Sequence, residues 1–99
     1  MNNYTPDAKK VSDALKSMAQ ILDRIAAEAP EVEICAAEYN EFTGEMRVHI
    51  YLGIDAVADL YSCPVQVVAR NDPKYTYQKE TIIDGVKLFE IMSAGKGNL

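Results

Sequence analysis

The sequence predicts an α+β domain, a long N-terminal helix packed on a mainly antiparallel five-stranded sheet in the order α-β-β-α-β-β-β. Three observations carry this expectation. An apolar stripe at helical spacing runs from Ala8 to Ala29, and two runs that alternate apolar and polar residues follow it. Near the end, an Asp84-Gly85 pair sits between two short runs rich in β-branched residues. With 99 residues the chain is one domain, large enough for a single core and too small for two.

The helix is the clearest element. Thr5 suits the N-cap, Pro6 the first helical position, and Asp7 the positive end of the helix dipole. Ala8, Val11, Leu15, Met18, Leu22, Ile25 and Ala29 recur in steps of three and four, and Ala14 and Ile21 widen the stripe. Pro30 disfavours helical geometry at Ala29, which ends the helix near Glu28. About 23 residues at 1.5 Å each give a rod of ~35 Å. One use of such a stripe is to cover a sheet. The other is to pair, through its heptad-like seam, with a second subunit.

A hairpin follows. Val32, Ile34 and Ala36 alternate with Glu33, Cys35 and Ala37, and Met46, Val48, Ile50 and Leu52 alternate with Arg47, His49 and Tyr51. The segment from Asn40 to Gly44 connects the two runs. Matching the apolar sides requires paired residue numbers to sum to an even value. A sum of 82 sets Glu33 opposite His49 and Cys35 opposite Arg47, whereas 84 sets Cys35 opposite His49. In either register Glu33, Cys35, Arg47, His49 and Tyr51 share the outer side, and Tyr39 is expected there with Tyr51.

Gly53 breaks the second strand. Ile54, Val57, Ala58 and Tyr61 then mark a short helix whose polar side carries Asp55 and Asp59, like charges with no lysine beside them in sequence. A strand from Val65 to Arg70 and a turn at Asn71-Asp72-Pro73-Lys74 come next. The last hairpin is tied to its turn. A two-residue type I′ loop at Asp84-Gly85 makes paired numbers sum to 169, which sets Lys79 opposite Glu90 and Tyr77 opposite Met92. The opposite charges of Lys79 and Glu90 agree with that register. The domain is expected to span residues 1–92, with 93–99 as a loose tail. Strand order across the short helix stays open, because periodicity says nothing about it.

Charge is the most lopsided property of the chain. Of a net −5, the stretch from Ile25 to Ser62 accounts for −7, eight carboxylates against Arg47 alone, while the flanking segments are each +1. An acidic face favours cationic partners and repels nucleic-acid phosphate. There is no basic n-region with an apolar h-region at the start and no apolar run long enough to span a membrane. Cys35 and Cys63 give no disulfide framework. The expectation is a cytoplasmic protein with free thiols and no contact with membranes.

The constellations that could carry chemistry are thin. Cys35 and His49 on one pleat are the residue types of a thiol nucleophile and its base, but no local signature accompanies them. One histidine and two cysteines 28 positions apart give no zinc spacing. The acidic residues lack the dense ligand spacing of a calcium loop. Paired carboxylates for sugar hydrolysis need an aromatic-lined cleft, and there is no tryptophan. Gly95-Lys96-Gly97 is not a phosphate loop in a strand–loop–helix context. Six tyrosines could stack bases, and Arg70, Lys74, Lys79 and Lys87 gather around the final strands, yet the net charge opposes binding a phosphate backbone.

The expected function is therefore a non-enzymatic interaction protein that uses an acidic face to bind a basic protein surface. It needs no cofactor or metal and makes no direct contact with nucleic acid. A concrete form is a small phage or mobile-element inhibitor that occupies the nucleic-acid groove of its partner, its carboxylates standing in for phosphate. The residues expected to carry this are Glu33, Glu38, Glu41, Glu45, Asp55 and Asp59, with Tyr39 and Tyr51 as anchors. The alternative is a homo-oligomeric small-ligand-binding or structural subunit, with a homodimer built on the helix seam or on a free sheet edge. These two readings separate on the helix. A monomer must bury Val11, Leu15, Met18, Leu22 and Ile25 in its own sheet.

Overall fold

The computed structural model describes residues 7–93 and has the predicted α+β order. Helix α1 spans Ala8–Glu28 and α2 spans Ile54–Leu60; the strands are β1 (Glu33–Asn40), β2 (Glu45–Leu52), β3 (Gln66–Ala69), β4 (Tyr77–Ile83) and β5 (Val86–Met92). Thr5 and Pro6, expected to open the helix, lie outside the described residues, as does the expected tail beyond Ser93. Asp7 is the N-cap, its carboxylate accepting the Lys9 amide at 2.9 Å. The helix ends where Pro30 requires, with Ala29 as its C-cap.

The five strands form one sheet in the order β1-β2-β5-β4-β3, in which β2 and β5 run parallel and the other pairs antiparallel. Composition explains the placing of β5. It is apolar on both sides, with Val86, Leu88, Phe89 and Met92 all buried, and such a strand belongs in the middle of a sheet. The edges suit water better. β3 is four residues long and exposed throughout, and β1 carries Glu33 and Glu38 and an irregular register.

Both helices lie on one face of the sheet. Met18, Ile21 and Ile25 of α1 and Ile54 and Val57 of α2 join Val48, Ile50, Ile83, Val86 and Leu88 in a single core. Complete burial of side chains of this size is worth about 1.5–3 kcal/mol each, so this cluster dominates the stability of the domain. Arg24 ties the helices together, with its guanidinium 4.5 Å from the Tyr61 ring centroid and donating to the Leu60 carbonyl at 3.2 Å. Among the described residues no helix covers the opposite sheet face.

The final hairpin has the expected register, with Tyr77 opposite Met92, Lys79 opposite Glu90 and Ile83 opposite Val86. Asp84 and Gly85 both have positive φ (50° and 79°), as a type I′ turn requires. The third strand is shorter than expected and leaves out Val65 and Arg70. In the turn that follows, Asp72 accepts the amides of Lys74 and Tyr75 at 2.8 and 2.9 Å, and these bonds hold its pKa below the ordinary carboxylate value.

The first hairpin corrects the expected register. Ala36 pairs with His49, Ala37 with Val48, Glu38 with Arg47 and Tyr39 with Met46, so the numbers sum to 85 rather than to 82 or 84. Two irregularities permit this. Between Glu33 and Ile34 the strand β2 has an extra residue, Tyr51, and between Ile34 and Ala36 the extra residue is Cys35, on β1. Ile34 thus keeps its core position opposite Ile50. Beyond Cys35 the inward side changes phase, so Ala37 and Tyr39 replace Ala36 and Glu38. Tyr39 packs against the core rather than sharing an outer side with Tyr51.

Candidate functional site

The acidic residues divide between different parts of the surface. Glu38, Glu41 and Glu45 gather at the β1–β2 turn, where with Tyr39, Asn40, Phe42 and Arg47 they line an open pocket of about 400 Å³. Glu33 is exposed at the start of β1, and Tyr51 is 58% exposed on β2. Asp55 and Asp59 project from α2, on the helical side of the sheet. No continuous acidic patch joins all eight residues expected at the site. Only the turn cluster brings several together.

Local chemistry shapes that turn. The side-chain oxygen of Asn40 accepts the amides of Phe42 at 2.9 Å and Thr43 at 3.3 Å, and the Gly44 amide donates to the Asn40 carbonyl at 2.7 Å. Gly44 has a φ of 75°, a conformation that glycine adopts without penalty. This fold of the loop pushes Phe42 outward, and the ring is 75% exposed. Phe42 stands beside Glu38, Glu41 and Glu45 at this turn and was not among the residues expected there. The signal was present in the sequence, as an aromatic residue next to Glu41 in a segment with turn residues at both ends.

Cations beneath the turn moderate its charge. Arg47 lies 3.9 Å from Glu38 and 3.7 Å from Glu45, and Lys87 approaches Glu45 at 3.7 Å. The guanidinium also sits 4.6 Å from the centroid of the Phe89 ring, which stacks on His49 at 4.7 Å with 9° between planes. This Arg47–Phe89–His49 stack buries Phe89 to 6% exposure on the helix-free face. It also anchors the Glu38 and Glu45 carboxylates from below.

Lys79, one of the basic residues expected to cluster, instead faces α2. Its ammonium donates to Asp55 at 3.0 Å, and that bond raises its pKa above the ordinary lysine value. Asp55 therefore has the partner that its own helix lacked. Arg70 donates to Gln78 at 2.6 Å and Lys87 reaches Glu45, so the four basic residues do not form one patch. The thiol–imidazole pair is likewise altered by the register, because Ala36 stands opposite His49 and Cys35 occupies the irregular position. No helix among the described residues is long and apolar enough to cross a membrane.

The second surface feature is a strip of α1. Met18 and Ile25 are 2% and 3% exposed, but Leu15 is 51% exposed and Val11 and Leu22 are only half-buried. An apolar hollow of about 760 Å³ runs along Ala8, Val11, Leu15 and Ala19 as far as Glu41 of the hairpin turn. A separate, smaller hollow of about 390 Å³ is lined by Leu22, Ala26 and Ala29 of the helix end and by Ile34 of β1. Comparison with known proteins returns no match to this chain among protein-family models, curated proteins or solved structures.

Proposed function

We propose that this protein is a non-enzymatic interaction module that docks a basic protein surface through its β1–β2 turn. The observation that carries this reading is a 75%-exposed Phe42 in a turn lined by Glu38, Glu41 and Glu45. Aromatic residues are enriched at protein interfaces, where a polar rim surrounds an apolar centre. Arg47 and Lys87 cancel part of the charge, so Phe42 supplies much of the affinity, while the carboxylates select a cationic rim and speed association. A basic groove that otherwise holds nucleic acid is the surface such a turn suits. A small phage or mobile-element inhibitor is the concrete form proposed, without a cofactor, metal or direct nucleic-acid contact of its own.

The test is capture from host lysate on immobilised protein at low and high salt, compared between the wild type, Phe42→Ala and Glu41→Lys. The expected outcome is a basic partner whose retention falls at least tenfold with Phe42→Ala and weakens with added salt. Retention indifferent to both variants and to salt would sink the reading. A homo-oligomeric small-ligand-binding or structural subunit is the second reading, and the half-exposed Leu15 is what favours it.

A further inference from the structure

We infer that the exposed apolar strip of α1 is a self-association surface, which pairs antiparallel with the same strip of a second copy about a two-fold axis near Ala19. The strip meets the turn cluster at Glu41, but its apolar residues lie on α1 and this inference does not depend on what the turn binds. Ala8, Leu15 and Leu22 recur every seven residues, as do Ser12, Ala19 and Ala26, and the two rows lie side by side on the helix. Met18, Ile21 and Ile25 face the sheet on an adjacent side, so the strip is apolar surface that the fold of one chain does not use. A row of small side chains permits close approach of a second helix, with Leu15 and Leu22 packing along one side of it.

Charge identifies the occupant. Lys16 and Asp23 border the strip on the same flank, seven residues apart, and neither has an ion-pair partner among the described residues. In an antiparallel helix pair, the same flank of each helix meets its counterpart. A two-fold axis near Ala19 therefore sets Lys16 of each copy beside Asp23 of the other, and two ion pairs close the interface. A parallel pair does not bring these two residues together. The surface is thus complementary to itself in the sense that a two-fold dimer requires. Its two ends agree with this. The small residues Ser12 and Ala26 meet on either side of the axis, so no large side chain obstructs the approach.

The experiment is sedimentation equilibrium of the full chain from 5 to 200 μM, with far-UV circular dichroism as the control for folding. The expected mass is twice the 11.0 kDa of one chain at the upper concentrations. Leu15→Lys, at a position already half-exposed, leaves the spectrum unchanged and gives a monomer throughout. Lys16→Asp and Asp23→Lys each weaken the dimer by about tenfold, because two attractive pairs become repulsive. The double variant Lys16→Asp/Asp23→Lys returns the dissociation constant to within about threefold of the wild type. In a Cys35→Ser/Cys63→Ser background, Ala19→Cys forms a disulfide-linked dimer on mild oxidation. A monomer at 200 μM overturns the inference, as does a dimer unaffected by Leu15→Lys. A dimer that the double charge exchange fails to restore overturns the antiparallel arrangement.

Discussion

Replacing Glu90 is the sharpest test of how the two hairpins are locked together. Glu90 lies on the central strand β5, is 4% exposed, and faces the start of α2. Its Oε1 accepts the amide of Gly53 at 2.9 Å and that of Ile54 at 3.0 Å. No side chain of α2 caps its own N-terminus, so the cap comes from a residue 36 positions away. A hydrogen bond to a charged group is worth about 1.5–3 kcal/mol, and removing the acceptor leaves buried donors unpaired. Glu90→Ala deletes both bonds at once, and since the two share one oxygen we expect a loss of about 3 kcal/mol. In a domain this size that lowers Tm by ~12–24 °C. Glu90→Gln keeps an acceptor oxygen and the volume but removes the charge opposite Lys79 and at the start of the helix, about 1 kcal/mol. The assay is urea unfolding followed by circular dichroism at fixed protein concentration, with an unchanged m-value as the check that the denatured state is comparable. A Glu90→Ala variant within about 0.5 kcal/mol of the wild type, a difference no larger than the error of the method, would refute the reasoning.

Two further outcomes follow from the same region. Gly53 has a φ of 107°, and a Cβ placed there would lie 3.0 Å from Cγ2 of Val32, so Gly53→Ala should cost about 2 kcal/mol in thermal or urea unfolding. The Lys79–Asp55 bond should be visible in alkaline unfolding. Because Asp55 raises the Lys79 pKa in the folded chain, the stabilisation is fully present below the ordinary lysine value of 10.5 and is lost as pH rises through the folded value. Asp55 is largely exposed, so the effect is about 0.5 kcal/mol. Asp55→Asn should lower stability by that amount at pH 8 and converge with the wild type above the folded Lys79 pKa, while a constant offset would contradict the assignment.

The first hairpin shows where the sequence stopped being legible. Alternation correctly marked both strands and their core residues Ile34, Val48 and Ile50. It could not reveal an irregularity at Cys35, because a single inserted residue leaves the pattern on either side intact while exchanging the faces beyond it. That one residue moved Tyr39 from the outer side it was expected to share with Tyr51 to the inward side, where it packs against the core at the margin of the turn pocket. The eight acidic positions were legible as a charge excess but not as a site. Glu38 and Glu45 meet through the turn between them, whereas Asp55 is held by a lysine 24 residues later in the chain. Phe42 was visible in the sequence as a loop residue, and only the shape of the turn exposes it.

What the sequence determined alone was everything written in short-range chemistry. The helix followed from its apolar period and from Pro30, and the β4–β5 register followed from the Asp84-Gly85 turn. The α+β class followed from the order of the periodic segments. The tertiary structure decided which elements become neighbours. It set β5 parallel to β2, gave α2 its cap from Glu90, gave Asp55 its partner in Lys79, and left Leu15 of α1 outside the core. The reason is that periodicity and turn propensity act over a few residues. The choice of neighbours is instead made by burying the apolar faces of two hairpins and two helices at once, with a central place for the strand that is apolar on both sides.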